Sequence, residues 1–290
     1  MPTVKRYVRN VQLLELEHIA TRLREEVINM LHQAGSGHSA GSLGTADIFT
    51  ALYFDVMNID PAHPLKPDRD RFVLSNGHMC PIWYATLAYR GYFSKTELET
   101  LRKTGSKLQG HPHAASLPGV ENSSGPLGQG LSLAIGMAMA AKMNGENHRI
   151  YCMTSDGELN EGQTWEAAMF AGTSQLSNIT WIIDRNNIQI DGTTETIMPL
   201  EPLREKLESF NWYVIEIDGH NIEEIINSCN MSKAVTQRPT VIIAHTIPGK
   251  GVEFMQYKFS WHGKAPNESE AKDALKQLRS LDGRIGSEYE

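Results

Sequence analysis

The sequence predicts an α/β fold, a parallel sheet flanked by helices on both faces. Five short runs carry this expectation: RFVLS (71–75), RIYCMTS (149–155), ITWIID (179–184), YVIEID (213–218) and PTVIIAHT (239–246). They are largely apolar, as strands covered on both faces must be. Helical segments separate most of them, and regular alternation of strand and helix is the pattern of a covered parallel sheet. No repeat, low-complexity linker or composition break interrupts the 290 residues. A single domain over 1–290 is therefore expected.

The elements follow in order. Residues 11–33 place Leu13, Leu16, Ile19, Leu23, Val27, Met30 and Leu31 at three- and four-residue spacing, which predicts an amphipathic helix ending before the Gly35–Gly37 pair. A second helix is expected over 44–57, with Thr45 and Asp47 near its start. The polar stretch NIDPAHPLKPDRD is rich in proline and reads as a loop. After the first strand come Asn76-Gly77-His78 and a helix through Trp83, Leu87 and Tyr89. Residues 104–126 are rich in Gly, Pro, His and Ser without periodicity. Loops of that length inside a compact domain are often functional. The small-residue segment GQGLSLAIGMAMAAKM is apolar nearly all round and is expected to be a buried helix. Helices are further expected over 162–175, 200–209, 221–236 and, polar and C-terminal, 267–281.

Composition narrows the function. Lys plus Arg number 27 against 34 Asp plus Glu, a net charge of −7, with a pI of about 5.9. That balance argues against a nucleic-acid partner, which needs a basic face. Apolar residues at 40% exclude a disordered chain. No run reaches the length of a membrane span, and MPTVKRYVRNVQLLELEHIA carries charges through its apolar stretch, unlike a secretory signal. Three dispersed cysteines, Cys80, Cys152 and Cys229, cannot form a closed disulfide framework. A reduced, cytoplasmic protein is expected. The 24 glycines and 11 histidines are clustered rather than scattered.

In a parallel sheet, ligands bind beyond the carboxyl ends of the strands. Asp156-Gly157-Glu158-Leu159-Asn160-Glu161-Gly162 follows one strand and Arg185-Asn186-Asn187-Ile188 the next, with Asn186 thirty positions after Asp156. That is about one strand–helix–strand unit, so a carboxylate and an amide oxygen can share one sheet edge. Such hard oxygen ligands suit Mg²⁺. Equally, Asp156 could cap a helix and Asn186 could fill a turn. Gly125-Pro126-Leu127-Gly128-Gln129-Gly130 opens the small-residue helix, where glycines permit close backbone approach and helix N-termini favour anions; a tight structural turn reads the same way. His38 (SGH), His78 (NGH), His111 (GHP) and His262 (WHG) are each flanked by glycine. Histidines suit proton transfer and hydrogen bonding near neutral pH. The pair His111-Pro112-His113 lacks further Cys or His at zinc-ligand spacing.

These motifs together resemble a known family. SDGELNEG followed by DRNNIQIDG resembles the thiamine diphosphate motif, and SGHSAGSLG, RDRFVLSNGH, GHP, LPGVENSSGPLGQGLS and SWHGKAP resemble transketolase, from about residue 20 to 266. The resemblance implies the thiamine-diphosphate-binding, diphosphate-domain fold. By position it implies Mg²⁺ ligands at Asp156, Asn186 and the Ile188 carbonyl. Gly157 and His78 would hold diphosphate oxygens, with Gly125, Pro126, Leu127, Glu158 and Asp184 near the cofactor. His38 and His262 would bind the donor sugar and developing oxyanion, with His262 also bordering the cofactor. His111 would help proton transfer beside the thiazolium. Glu161 matches a carboxylate thought to communicate between paired active sites. Ser155 stands where the family usually has glycine before the metal aspartate, and is small enough to be accommodated.

Single-chain transketolases are much longer, and their second domain supplies the glutamate that activates the aminopyrimidine, an aromatic pocket for that ring, and residues that grip the sugar phosphate. The resemblance therefore implies the N-terminal subunit of a split transketolase, lacking the pyrimidine-binding domain. It would transfer a two-carbon ketol unit between sugar phosphates of the pentose phosphate pathway, in an α2β2 heterotetramer with a C-terminal subunit. An α-subunit of a thiamine-dependent 2-oxo-acid dehydrogenase is the alternative, though a simple keto acid does not need the four-histidine set. A non-catalytic subunit that kept the fold is a third reading.

Overall fold

A computed structural model describes residues 2–280. Helix α1 (Pro2–Ala34) runs longer than the periodicity predicts. Leu16, Leu23, Val27, Ile28, Met30 and Leu31 are buried along it. It ends at Gly35, whose N–H bonds the carbonyls of Leu31 and His32. The expected helix over 44–57 is instead three pieces: α2 (Ala40–Gly44), α3 (Ala46–Ala51) and a wide π turn over Leu52–Val56. The break falls at Thr45, whose backbone leaves the helical region while its hydroxyl bonds the Gly41 carbonyl.

Strand β1 (Arg71–Leu74) leads through a 3₁₀ turn at Gly77–Met79 into α4 (Cys80–Arg90). A second 3₁₀ turn, Lys95–Thr100, precedes the long irregular loop, and α5 (Gly130–Met143) follows it. Then come β2 (Ile150–Ser155), α6 (Gly162–Thr173) and β3 (Ile179–Arg185). A small antiparallel pair, β4 (Ile188–Gln189) and β5 (Gly192–Thr193), leads to α7 (Thr194–Ile197). No hydrophobic period marks these short pieces in the sequence. The chain closes with α8 (Leu203–Ser209), β6 (Tyr213–Asp218), α9 (Ile222–Ala234), β7 (Thr240–His245) and α10 (Glu268–Ser280). Residue 281, the expected end of the last helix, lies outside the described residues.

The sheet has the order β1-β2-β3-β7-β6, every pair parallel. Alternating side chains feed two cores. Phe72, Leu74, Tyr151, Met153, Ile182 and Ile242 pack toward α1, α3, α4, α9 and α10, while Val73, Cys152, Trp181, Ile183, Val241 and Ile243 pack toward α5, α6 and α8. Three fully buried tryptophans each satisfy their indole N–H. Trp83 donates to the Tyr53 hydroxyl at 2.6 Å, Trp181 to Thr154 at 2.9 Å and Trp212 to the Ala168 carbonyl at 2.9 Å. Among the described residues no helix is long and apolar enough to cross a membrane.

A further expectation fails. Helix α5 is not buried all round: Leu133 and Met143 on it are 45% and 80% exposed, beside Met169 (53%) and Phe170 (48%) on α6. An all-apolar helix needs cover on every side, but the sheet covers only one face of this one.

Candidate active site

All five strands of the main sheet point their carboxyl ends the same way, and His78, Asp156, Asp184 and Asn186 lie at or just after those ends. Register sets Ser155 opposite Asp184 and Asp184 opposite Ala244. Asp156 follows Ser155 directly and is fully buried. Its Oδ1 accepts the Gly157 N–H at 2.8 Å, and its Oδ2 accepts the Asn187 N–H at 2.6 Å and the Arg185 Nη1 at 3.1 Å. Burial pushes its carboxyl up to about 6, against the charge of Arg185 and these hydrogen bonds. Asn186 donates to Asp184 at 2.7 Å and accepts the Ile188 N–H at 3.0 Å. The capping and turn geometries that the sequence also allows are thus both present. They leave lone pairs unused on Asp156 and on the Asn186 oxygen.

Asp184, also fully buried, accepts the Thr246 hydroxyl from the loop after β7. Burial raises it to about 7, with the Asp156 charge adding to the shift and hydrogen bonds from Thr246 and Asn186 opposing it. Glu158 is spent within the protein. Its carboxylate accepts the Ser75 hydroxyl, the Gly128 N–H at 2.7 Å and the Ser155 N–H at 3.3 Å. It therefore acts by tying the Gly125–Gly130 loop to β1 and β2.

The four glycine-flanked histidines, scattered over 224 positions of chain, converge. His38 lies 5.0 Å from His78, 5.5 Å from His262 and 6.4 Å from His111 between ring centroids, and His78 lies 5.1 Å from His262. Burial, followed by the neighbouring imidazoles and Arg102, lowers His38 to about 4. Burial also lowers His78 well below its ordinary value and depresses His111 and His262, with Arg102 adding to the effect at His111. Near neutral pH the cluster is uncharged, and each ring offers one donor and one acceptor. The His38 Nδ1, both polar atoms of the Asn76 side chain and the Ser124 hydroxyl are buried without a hydrogen-bond partner among the described residues.

Glycine makes this closeness possible. A Cβ on Gly77 would stand 2.5 Å from the Ser124 hydroxyl oxygen and 2.9 Å from the Gly125 nitrogen, so the turn carrying His78 and the loop carrying Gly125 touch only because residue 77 has none. Gly125 in turn lies against the His111 ring. Gly125 and Leu127 are half-buried and Pro126 is exposed.

Glu161 is not brought into the histidine cluster. It is exposed at the start of α6, beside Gly128, and its side chain makes no hydrogen bond among the described residues. The chain buries Glu158 and leaves Glu161 on the surface. Asp47 does stand in the first turn of a helix, α3, where it is buried in an ion pair with Arg24 and a 2.8 Å hydrogen bond with His220. His220 has a flanking glycine, Gly219, as the other four histidines do, yet it accepts the Ile247 N–H at 2.8 Å and is structural. Arg185 is a site residue that the motifs do not single out. An arginine between the strand's last aspartate and Asn186 is its only trace in the sequence, and it bonds Asp156, Thr194, Glu195 and Glu201 together.

The chain belongs to the transketolase family: residues 16–282 match the transketolase thiamine diphosphate binding domain. The parallel sheet with covered faces is the fold of that domain. Among its relatives is the 6-deoxy-6-sulfo-D-fructose transketolase subunit SqwG of Clostridium sp. (strain MSTE9), 42% identical over 92% of this chain and 97% of that protein. One of the subunits of an apulose-4-phosphate transketolase, from Phocaeicola vulgatus, is 39% identical over 92% of this chain and 94% of its own length. Similarity to a solved transketolase from Campylobacter jejuni gives a TM-score of 0.86 at 35% identity, covering 91% of this chain and 43% of that one. The chain thus matches the subunit relatives along nearly their whole length, and less than half of the solved enzyme.

Proposed function

We propose that this chain is the diphosphate-binding subunit of a thiamine-diphosphate-dependent transketolase, moving a two-carbon ketol unit from a ketose phosphate to an aldose phosphate together with a pyrimidine-binding subunit. One observation carries the reading: four uncharged imidazoles meet around His38 and His78, and His78 follows the end of β1, the strand beside the one that the buried Asp156 ends. Relatives of matching extent that are named as transketolase subunits support the division of labour.

The residues fit the cofactor. Asp156, Asn186 and the Ile188 carbonyl form an oxygen donor set suited to Mg²⁺. Among the described residues no group of three or more His, Cys, Asp or Glu could hold a metal, so amide, carbonyl and diphosphate oxygens would complete the shell. A Cβ on Gly157 would meet Gln189 at 3.3 Å and the Ile188 oxygen at 3.9 Å, so its absence opens the cradle that diphosphate would enter. The orphaned polar atoms of His38, Asn76 and Ser124 fit a site awaiting polar ligands.

When bound, thiamine diphosphate supplies the carbon nucleophile and electron sink that ketol transfer needs. This chain's residues do the rest of the work on their side. Asp156, Asn186 and Ile188 hold the metal, and Gly157 and His78 steady the diphosphate. His38 and His262, kept neutral by burial, donate hydrogen bonds to sugar hydroxyls and to the oxygen where negative charge develops. His111, the most exposed of the four, moves a proton at the substrate's hydroxyl.

Two such chains and two partners would form the α2β2 enzyme. The exposed apolar strip of α5 and α6, with Glu161 at its end, supports a contact between the two diphosphate-binding subunits. Pentose phosphates are the proposed substrates, although the relatives' names include a sulfosugar and apulose phosphate. Three free, buried cysteines fit a reducing cytoplasm.

Reconstitution tests the proposal. The chain alone should show no ketol transfer, and addition of the partner should restore it. Asp156→Ala in the complex should abolish transfer. Full activity of the lone chain would overturn the split enzyme. Unchanged activity in the variant would favour a non-catalytic subunit, and decarboxylation of pyruvate without ketol transfer would favour the dehydrogenase reading.

A further inference from the structure

We infer that Arg185 is a positioning residue for the metal: it fixes which oxygen of Asp156 stays open and closes the base of the loop that presents the Ile188 carbonyl. The inference rests on the metal-binding reading above and deepens it, because that reading names the ligands and no side chain that orients them.

Arg185 ends β3 and is 3% exposed. A guanidinium so buried needs acceptors for its donors, and its two terminal nitrogens find four. Nη1 donates to Asp156 Oδ2 at 3.1 Å and to the Thr194 hydroxyl at 2.8 Å. Nη2 donates to Glu195 Oε1 at 2.7 Å and to Glu201 Oε1 at 2.9 Å.

The first of these bonds acts on Asp156 itself. Each carboxylate oxygen has about two lone-pair sites. Oδ2 spends both, on Arg185 and on the Asn187 N–H at 2.6 Å, whereas Oδ1 accepts the Gly157 N–H at 2.8 Å and keeps one open. Two donors converging on Oδ2 hold the carboxylate against rotation, so Oδ1 is the oxygen presented to a metal.

The remaining bonds close a loop. From Asn187 the chain runs out and back through β4 and β5, and the Thr194 N–H returns to the Asn187 carbonyl at 3.1 Å. Ile188 opens this loop, so its carbonyl is aimed by whatever joins the two ends. Arg185 stands at the near end and grips the far end through Thr194 and Glu195. Glu195 in turn accepts the Leu200 N–H at 3.2 Å, and Glu201 accepts the Leu203 N–H at 2.8 Å. One guanidinium thus ties the segment from β3 to the start of α8 to the carboxylate of Asp156.

Charge decides the sign of the effect. An arginine beside a metal ligand repels a divalent cation when nothing offsets it. Here Asp156, Glu195 and Glu201 all pair with Arg185, so carboxylates outnumber the cation and its hold on geometry prevails. Groups that orient a metal's ligands are worth about 10- to 100-fold in metal affinity.

The test uses the reconstituted two-subunit enzyme with thiamine diphosphate, as wild type, Arg185→Met and Arg185→Lys. Mn²⁺ is the probe, titrated through the loss of the electron paramagnetic resonance signal of the free ion, and thermal unfolding establishes that each protein is folded. Arg185→Met should raise the Kd for Mn²⁺ about 10- to 100-fold. Arg185→Lys keeps the charge without the planar fork, and should also weaken binding, by no more than Arg185→Met. If Arg185→Met fails to fold, Arg185→Lys decides alone. A purely structural role would lower the Tm and leave the Kd of the folded variants unchanged, which would overturn the inference. Tighter Mn²⁺ binding in Arg185→Met, the mark of an arginine that only repels the metal, would overturn it too. Absence of Mn²⁺ binding in the wild-type complex would instead overturn the metal-binding reading, and this inference with it.

Discussion

In an Asp47→Asn variant the guanidinium of Arg24 would keep its charge and lose its counter-ion. Arg24 is 1% exposed and Asp47 4%. Nη1 donates to Oδ1 at 3.1 Å, Nη2 donates to Oδ2, and Nε donates to the Leu43 carbonyl at 3.0 Å. The third member is His220. Its Nε2 accepts the Ile247 N–H, so Nδ1 carries the proton and donates to Asp47. Asparagine leaves one acceptor and turns an NH₂ toward a donor, whichever way it faces. Removing one partner of a buried pair costs about 3–5 kcal/mol. With an unfolding entropy of about 2.1 cal/mol/K per residue, that corresponds to a Tm lower by about 5–8 °C. Thermal and urea unfolding followed by circular dichroism measure both quantities. An Arg24→Met, Asp47→Leu double variant should recover part of the loss, because no charge is then stranded, while the His220 Nδ1–H and the Leu43 carbonyl lose their partners. A loss below about 1 kcal/mol in Asp47→Asn, within the range of a surface ion pair, would refute the reasoning. Acid gives a second arm. Burial alone would raise Asp47, but Arg24 and His220 overcome it and hold it at about 2 against an ordinary 3.8. A depressed carboxylate stabilises the folded chain above 3.8, and that contribution is lost as pH falls toward 2.

Three further outcomes are expected. Gly77→Ala would drive a methyl into Ser124 and Gly125, costing about 1–3 kcal/mol and weakening thiamine diphosphate binding, as equilibrium titration of the reconstituted complex would record. His38, lowered from 6.5 to about 4 by burial, is neutral in the folded chain where the unfolded chain is protonated. Between those values stability rises with pH by at most about 1.4 kcal/mol per unit. Wild type should therefore lose stability relative to His38→Asn on acidification through this window, and parallel urea curves for the two would contradict the assignment. Replacing Leu133 and Phe170 with Glu should leave the Tm of the isolated chain nearly unchanged, as surface substitutions do. It should lower the assembly's mass in sedimentation, and an unaltered mass would remove this face from the interface.

Much of the fold is legible in the sequence because its signals are local. Apolar strands such as ITWIID and the spacing of Leu16, Leu23, Val27 and Leu31 report burial residue by residue, and both cores follow from them. The break at Thr45 and the bare face of α5 are not legible. They depend on what packs against a segment rather than on the segment itself. For the site, Asp156, Asn186 and the four histidines can be named from their strand ends and glycine neighbours. Whether any of them meet cannot.

Chemical type, strand order along the chain and the family motifs belong to the sequence alone. Those determined that Asp156 and Asn186 would end neighbouring strands and that histidines would sit in turns free of Cβ atoms. Only the tertiary structure decided which of five similar histidines share a site, since His220 has the same flanking glycine and faces Asp47 instead. It also decided that Glu158 is consumed inside and that Glu161 stands outside. The physical reason is range. Periodicity and turn chemistry act over a few residues, whereas burial, hydrogen-bond satisfaction and charge pairing are settled between segments that meet only when the sheet has formed.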